Sequence, residues 1–188
     1  MMTDISLRAY NREIEGLIEG NQIEEAIAHS RHILERFPKH VATYRLLGKA
    51  YLEVQRYSDA EDVLQRVLSC IPDDFIAHVG MSIIREDASG LEEAIWHMER
   101  AFDVQPSNAA IQAELRRLYG QRDGTPPIKV SLTRGALARM SARSHLYSQA
   151  IGELRAILAE DPQRPDLQVV LARLYFQTGQ RNIAVETC

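Results

Sequence analysis

The apolar and small residues between Val41 and Asp74 follow a helical spacing in two runs of about a dozen residues each. A polar stretch, residues 53–56, separates the two runs, and Pro72 follows the second. Because proline cannot continue a helix, Pro72 marks the end of the second run. The pattern therefore predicts a helical hairpin, in which two helices are joined by a short polar turn.

The hairpin pattern recurs in register along the chain. Its marker is an alanine in the second helix, and the steps between these alanines are 34, 34, 56 and 34 residues. A single hairpin cannot bury its own apolar face, so the repetition predicts stacked hairpins, and the long step indicates an insertion of 22 residues. The alanines are Ala26, Ala60, Ala94, Ala150 and Ala184, and a proline follows twelve residues after each of the first four.

The segment Val41 to Asp74 resembles a tetratricopeptide repeat (TPR), a family with a 34-residue period. The resemblance implies an all-α fold, a right-handed helical solenoid of helix pairs, with an extended proline-containing insertion between two sub-arrays. It also implies that Gly48 faces Ala60, so that the two helices approach closely. The residues that carry the resemblance, numbered from Val41 as position 1, are Tyr44 at 4, Leu47 and Gly48 at 7 and 8, Tyr51 at 11, Tyr57 at 17, Ala60 at 20, Leu64 at 24, Val67 at 27 and Pro72 at 32.

The phase of the repeats predicts three parts. Residues 1–121 form three TPR-like repeats, from about Leu7, followed by a capping helix, Ala109 to Gln121. Residues 122–130 form an extended linker, because the tandem prolines Pro126 and Pro127 disfavour helix. Residues 131–188 form a second TPR-like module, which ends in an incomplete repeat at Cys188.

Composition and charge narrow the class of protein. The chain is 45% hydrophobic and 26% charged, and the first residues form no apolar segment, so we expect a cytoplasmic protein. Cys70 and Cys188 have no metal-ligand or disulfide spacing. Residues 1–108 carry 11 Lys and Arg against 19 Asp and Glu, whereas residues 109–188 carry 11 against 7. This difference in charge between the two parts of the chain either steers a binding partner electrostatically or reflects ordinary variation in the charge of solvated helix faces.

The sequence contains no motif that requires an enzyme. It has neither a phosphate-binding loop nor a dinucleotide-binding turn, and we expect no cofactor. His29 and His32 lie three residues apart on one predicted helix but lack a third ligand nearby, so surface histidines are favoured over a metal site. The acidic pairs at 24/25, 61/62, 73/74 and 92/93 are interpreted as solubilising groups that favour helix dipoles.

The TPR resemblance implies a binding groove lined by the first helix of each pair. It assigns groove positions to Asn11, Arg45, Lys49, Arg117, Arg139, Arg143 and Arg173. Arginines in such a groove suit an extended peptide with carboxylates. A family subset that clamps chaperone C-termini has lysine and asparagine where this chain has Asn11 and Glu15, so that activity is not supported.

The sequence leaves open what binds. The leading hypothesis is a non-catalytic scaffold for a protein or peptide, with an acidic partner suited to the groove. One alternative is nucleic-acid association through the basic second half, which we consider less suited to a net charge of −4. Another is self-association, such as a homodimer through the incomplete C-terminal repeat. Trp96 lies on the outer face of its predicted helix, where either the inserted segment covers it or it contacts a partner.

Overall fold

The computed structural model describes residues 6–187, which fold into eleven α-helices without a β-strand. Residues 1–5 and Cys188 lie outside the described residues. The sequence-based interpretations of the N-terminal segment and of Cys188 therefore concern residues outside the described range. None of the helices within 6–187 is long and apolar enough to cross a membrane. The helices are α1 (Leu7–Glu19), α2 (Ile23–Arg36), α3 (Val41–Glu53), α4 (Tyr57–Cys70), α5 (Phe75–Asp87), α6 (Leu91–Val104), α7 (Ala109–Asp123), α8 (Arg134–Arg143), α9 (Tyr147–Glu160), α10 (Pro165–Gln177) and α11 (Arg181–Thr187).

The turns inside the helix pairs repeat one backbone geometry. Each contains a residue with positive φ, and the next residue donates its N–H to a carbonyl oxygen five residues earlier, at 2.8–2.9 Å. This 6→1 hydrogen bond ends the first helix of each pair in a left-handed residue, as in a Schellman motif. The steps between these residues match the 34, 34, 56 and 34 of the sequence repeat. They are Asn21, Gln55, Ser89, His145 and Gly179.

The repeating alanines are buried at the contact between the paired helices. Ala26, Ala60, Ala94 and Ala150 have no solvent exposure, and Ala184 has 6%. A methyl side chain lets two helices approach closely, which explains why a small residue recurs in register. The predicted all-α class built of stacked helix pairs is therefore confirmed.

The described chain divides by its contacts into two compact units, Met1–Cys70 and Ile71–Cys188. The first unit contains α1–α4, with Ile14, Leu47 and Leu64 among its buried side chains. The second unit contains α5–α11. The three-part division at residues 122–130 stays a prediction.

Gly48 makes a close contact with the second helix of its pair, and Leu64 is the nearest residue there. A Cβ added at Gly48 would lie 2.5 Å from Cδ2 of Leu64 and 2.9 Å from its Cγ, and Ala60 is not among the three nearest neighbours. Leu64, four residues after Ala60, reaches across to the glycine because residues four apart share a helix face. The need for a small residue at position 48 is therefore explained, and the contact of Gly48 with Ala60 stays a prediction.

The second unit contains two apolar clusters. One joins α6 and α7 through Met98, Phe102, Ile111 and Leu115, and Val130 packs into it. Helix α7 runs two residues beyond the predicted Gln121 and is capped by Gly124, whose φ of +77° suits glycine. Residues 124–133 form neither helix nor strand.

The other apolar cluster belongs to helices α8–α11. Leu154, Leu167, Leu171 and Ala184 are among its buried members. Helix α8 also packs against α6, so that the chain on both sides of residues 124–133 contacts the same helix. This arrangement brings the ends of α6, α8 and α10 into one region of the second unit.

Candidate functional site

A groove of about 390 Å³ follows α8 and α10 in the second unit. It contains three of the seven residues that the sequence assigns to a peptide-binding groove, namely Arg139, Arg143 and Arg173. The other residues that line it are Asp73, Val104, Ala142, His145, Tyr147, Val170, Leu174 and Gln177.

Local sequence determines how α8 presents its arginines. Thr133 caps the helix, because its hydroxyl oxygen accepts a hydrogen bond from the backbone N–H of Ala136 at 3.0 Å. Arg139 and Arg143 follow on the same side of α8, since residues four apart share a helix face. Helix α10 begins at Pro165, a residue suited to the first helical position, and carries Arg173 in its third turn.

Asp73 lies between two of the groove arginines. Its Oδ2 accepts hydrogen bonds from Nη1 of Arg139 and from Nη1 of Arg173, each at 3.2 Å. The Asp73 side chain is only 12% exposed, whereas that of Arg173 is 59% exposed. One carboxylate from the loop before α5 thus holds side chains of α8 and α10.

Arg139 is buried, in contrast to the other groove arginines. It is 7% exposed, and besides Asp73 it contacts Asp166, with 3.4 Å between Nη2 and Oδ2. Two carboxylates therefore balance a guanidinium that has lost most of its water, as a buried charge requires. Its contribution to ligand binding stays a prediction.

A second set of buried charges lies behind the groove. Arg164 donates to Oδ2 of Asp103 at 2.9 Å and to Asp166 at 2.9 and 3.0 Å. Burial alone would raise the pKa of Asp166, but hydrogen bonds from Arg164 and the charges of Arg139 and Arg100 outweigh burial and lower it. Asp166 is therefore an anion that fixes the start of α10.

Arg143 and Arg173 are the arginines of this groove that reach solvent. Nη2 of Arg143 donates to the carbonyl oxygen of Val104 at 2.5 Å, and the side chain is exposed. Val104, Ala142, Val170 and Leu174 contribute apolar surface between them. The groove can therefore take a carboxylate together with an apolar side chain.

Three other predicted groove residues lie in the first unit. The amide oxygen of Asn11 accepts a hydrogen bond from the hydroxyl of Thr43 at 3.0 Å. Arg45 and Lys49 lie on α3 and are half-buried. Their role in binding a ligand stays a prediction.

Arg117, the remaining predicted groove residue, is paired with two carboxylates. It contacts Glu114 with its Nη2 at 2.5 Å, and its two Nη atoms donate to Glu86 at 2.7 and 2.5 Å. The hydrogen bonds to Glu114 and Glu86 raise the pKa of Arg117 above its ordinary value. A ligand carboxylate at Arg117 would therefore compete with both glutamates.

Trp96 is 37% exposed and packs among cationic and imidazole groups. The Arg100 guanidinium lies 5.0 Å from its ring centroid, and the His97 ring meets it edge-on at 4.8 Å. His78 and His97 approach with 3.0 Å between their Nδ1 atoms, and Nε2 of His78 lies 2.9 Å from the carbonyl oxygen of Pro72. The carbonyl can only accept, so Nε2 of His78 donates to it.

The sequence interpretation missed the acidic partners of the groove arginines. Asp74 fits its expected role near a helix start, because it caps α5 by accepting from the N–H of Ala77 at 2.9 Å. Asp73, however, does not serve as a solubilising group, since it is mostly buried against two arginines. The excess of arginine over lysine, 19 to 3, is the sequence signal consistent with such a network.

No metal site emerges from the described residues. Within 6–187, no three His, Cys, Asp or Glu side chains are placed to hold an ion. Nδ1 of His29 lies 2.6 Å from the hydroxyl oxygen of Tyr10, and Nδ1 of His32 lies 3.9 Å from Oε2 of Glu35.

Stacked helix pairs with a buried alanine and a left-handed turn residue at each step define a helical-repeat protein. A family model for the tetratricopeptide repeat matches residues 17–79 and 142–188, more than half of the chain. The chain therefore belongs to the tetratricopeptide repeat family, and the resemblance seen in the sequence is confirmed.

Solved structures of other repeat proteins share the fold. The first TPR of Spaghetti (RPAP3), bound to the HSP90 peptide SRMEEVD, is 18% identical, with a TM-score of 0.56 over 61% of this chain and 90% of that chain. MamA is 17% identical, with a TM-score of 0.53 over 95% and 85%. YrrB, described as a TPR protein with an unusual peptide-binding site, is 18% identical, with a TM-score of 0.52 over 95% and 81%. No curated protein matches the chain in sequence.

Proposed function

We propose that this protein is a non-catalytic scaffold that binds an acidic segment of a partner protein in the groove along α8 and α10. The observation that carries the proposal is the pair of exposed arginines, Arg143 and Arg173, beside apolar surface from Val104 and Ala142. Arginine binds carboxylates through paired N–H groups, and the apolar surface gives the ligand area to bury.

The ligand chemistry follows from the size and lining of the groove. A volume of about 390 Å³ holds a short stretch of peptide rather than a folded domain. An acidic residue near an apolar one satisfies both parts of the lining. Two structural relatives support peptide binding as the function, since the first TPR of Spaghetti (RPAP3) was solved with an HSP90 peptide and YrrB is described as having a peptide-binding site.

The proposal is tested by affinity capture with mass spectrometry. Immobilised wild-type protein should recover a partner that the charge-reversed variant Arg143→Glu/Arg173→Glu loses. Arg155→Glu is the matched control, because Arg155 is exposed on α9 and does not line the groove. A partner recovered equally by wild type and by the double variant would contradict binding at this groove.

The nucleic-acid alternative has less support. Many arginines in the basic half already pair with carboxylates, so less positive charge faces solvent than the sequence count suggests. If nucleic acid were the ligand, affinity would fall steeply with salt for any sequence offered. The paired arginines are Arg117, Arg122, Arg134, Arg139, Arg164 and Arg173.

Self-association is a second candidate function, favoured by an apolar groove between α10 and α11. This end groove has a volume of about 550 Å³ and is lined by Val169, Ala172, Arg173, Phe176, Gln177, Ala184 and Val185. Phe176 and Val185 lie on the same surface and are well exposed. The patch therefore combines protruding apolar side chains with a cavity. Arg181 and Glu186 place both signs of charge on α11. Such a self-complementary patch suits a two-fold contact between copies of this chain.

A further inference from the structure

Asp73 occupies the position in the groove where a ligand carboxylate would meet Arg173. Its Oδ2 already accepts hydrogen bonds from Arg139 and Arg173 at 3.2 Å. Arg139 has a second carboxylate in Asp166, whereas Asp73 is the acidic partner that the structure gives Arg173 within residues 6–187. Binding of an acidic ligand at Arg173 must therefore displace or share this internal ion pair.

The backbone around Asp73 is fixed independently of the groove. The N–H of Asp74 donates to the carbonyl of Ile71 at 3.0 Å, which closes the turn. The Asp74 carboxylate caps α5, and His78 donates to the carbonyl of Pro72 at 2.9 Å. Because both neighbours of Asp73 are anchored, its carboxylate is held at the arginines and does not depend on a mobile loop.

The charge balance of the groove makes Asp73 a competitor for ligand. Arg143 donates to a neutral carbonyl, that of Val104, and keeps its full charge for a ligand. Asp73 is shared between Arg139 and Arg173, so it neutralises only part of the positive charge of Arg173. A ligand carboxylate at Arg173 would also be repelled by the Asp73 carboxylate, because the site is partly buried. A ligand carboxylate therefore gains mainly at Arg143, and a second carboxylate engages Arg173 only in competition with Asp73.

We propose that Asp73 is a built-in carboxylate that occupies the Arg139–Arg173 pair and thereby competes with an acidic ligand for Arg173. This inference rests on the proposed function, since it concerns the specificity of the same groove. Asp73 holds the arginines in place and lowers the affinity of the groove for acidic segments, but not for neutral ones.

The experiment removes the charge of Asp73 and measures binding of a defined probe. The probe is a fluorescein-labelled peptide EELEEL, with QQLQQL as the neutral probe, and binding is read by fluorescence anisotropy. Asp73→Asn keeps the size and an acceptor oxygen but removes the charge. We expect it to bind EELEEL about fivefold more tightly than wild type, a difference of roughly 1 kcal/mol. Glu92→Gln removes one exposed charge outside the groove and should leave affinity unchanged.

The outcomes separate the inference from the proposed function. If wild type binds EELEEL and Asp73→Asn binds it equally or more weakly, the inference is overturned and the proposed function stands. Binding by Asp73→Asn alone supports the inference and shows that the unaltered groove is closed to this probe. Binding by neither protein overturns both.

A second neutral variant guards against a folding defect. Asp73→Ser removes the same charge with a smaller side chain, and circular dichroism and thermal unfolding establish which variant is folded. Tighter binding by whichever neutral variant folds supports the inference. Tighter binding of QQLQQL to the same extent as EELEEL would overturn it, because relief of a charge conflict cannot improve binding of a neutral peptide.

Discussion

Asp103 on α6 and Arg164 at the start of α10 form a buried ion pair, with 2.9 Å between Oδ2 and Nη2, although 61 residues separate them in sequence. Both side chains are almost fully removed from solvent. The pair therefore connects helix α6, which belongs to the apolar cluster of α6 and α7, to helix α10, which belongs to the cluster of α8–α11.

Replacing Arg164 should destabilise the second unit strongly. Arg164→Met leaves the buried carboxylates of Asp103 and Asp166 without this partner, and breaking a buried pair costs about 3–5 kcal/mol. Urea denaturation followed by circular dichroism measures the change in the free energy of unfolding. Arg155→Met on the exposed face of α9 is the control, with an expected change within about 0.5 kcal/mol. A loss below about 1 kcal/mol in Arg164→Met would show that the pair contributes little.

Acid should destabilise the protein through the histidine pair at Trp96. Burial first, and then the charge of neighbouring His78, lower the pKa of His97 to about 3, and burial also lowers the pKa of His78. In the unfolded chain both imidazoles titrate near pH 6.5, so the unfolded state binds more protons between pH 6.5 and 3. The contribution of the two neutral histidines to the free energy of unfolding is therefore fully present above this pH window. It is lost as the pH falls through the window.

The measurement is the urea midpoint between pH 7 and pH 4. His97→Gln should reduce its dependence on pH, because one titrating group is removed from the folded-to-unfolded difference. His32→Gln changes an exposed histidine and should preserve the wild-type dependence. An unchanged slope in His97→Gln would contradict the role assigned to the pair.

The small residue at position 48 should be required for stability of the first unit. Gly48→Ala places a Cβ 2.5 Å from a side-chain carbon of Leu64, which is fully buried and cannot move away freely. We expect a loss of about 1–3 kcal/mol in the free energy of unfolding. Gly16→Ala is the matched control on α1, where no atom lies within 4 Å of the added Cβ. That substitution should stabilise by about 0.5–1 kcal/mol, and an equal response of the two variants would contradict the packing.

The end groove between α10 and α11 predicts association between copies of the chain. Val185→Asp places a charge on an exposed apolar residue of α11 and should shift multi-angle light scattering toward the monomer mass. Glu153→Gln on α9 is the control, because Glu153 does not line this groove. A wild-type mass that equals the monomer at every concentration would exclude a dimer through this surface.

The sequence predicted what depends on local periodicity. The burial of the alanines and the positions of the turns follow from the spacing alone, because the two helices of every repeat pack together in the same way. The register of the repeat does not determine burial where the repeats differ. Leu137 holds the position of the buried Leu47 but is 45% exposed, since α8 turns Gly135 and Arg139 toward its neighbours instead.

The ion pairs of the groove could not be predicted in the same way. Asp73 is 66 residues from Arg139 and 100 from Arg173, and no periodic signal links residues at such separations. Only the folded position of the loop before α5 makes Asp73 their partner. The sequence identified the arginines from the register of the repeat, whereas the carboxylates that modify them depend on tertiary structure.

Fluorescence anisotropy of labelled EELEEL measures whether Arg143 and Arg173 bind acidic segments. We expect wild type and Arg155→Glu to bind the peptide equally, with an affinity that falls as salt increases. Arg143→Glu/Arg173→Glu should lose about tenfold or more in affinity while keeping its helical circular dichroism. Equal affinity of the folded double variant and wild type would show that these two arginines do not bind acidic segments.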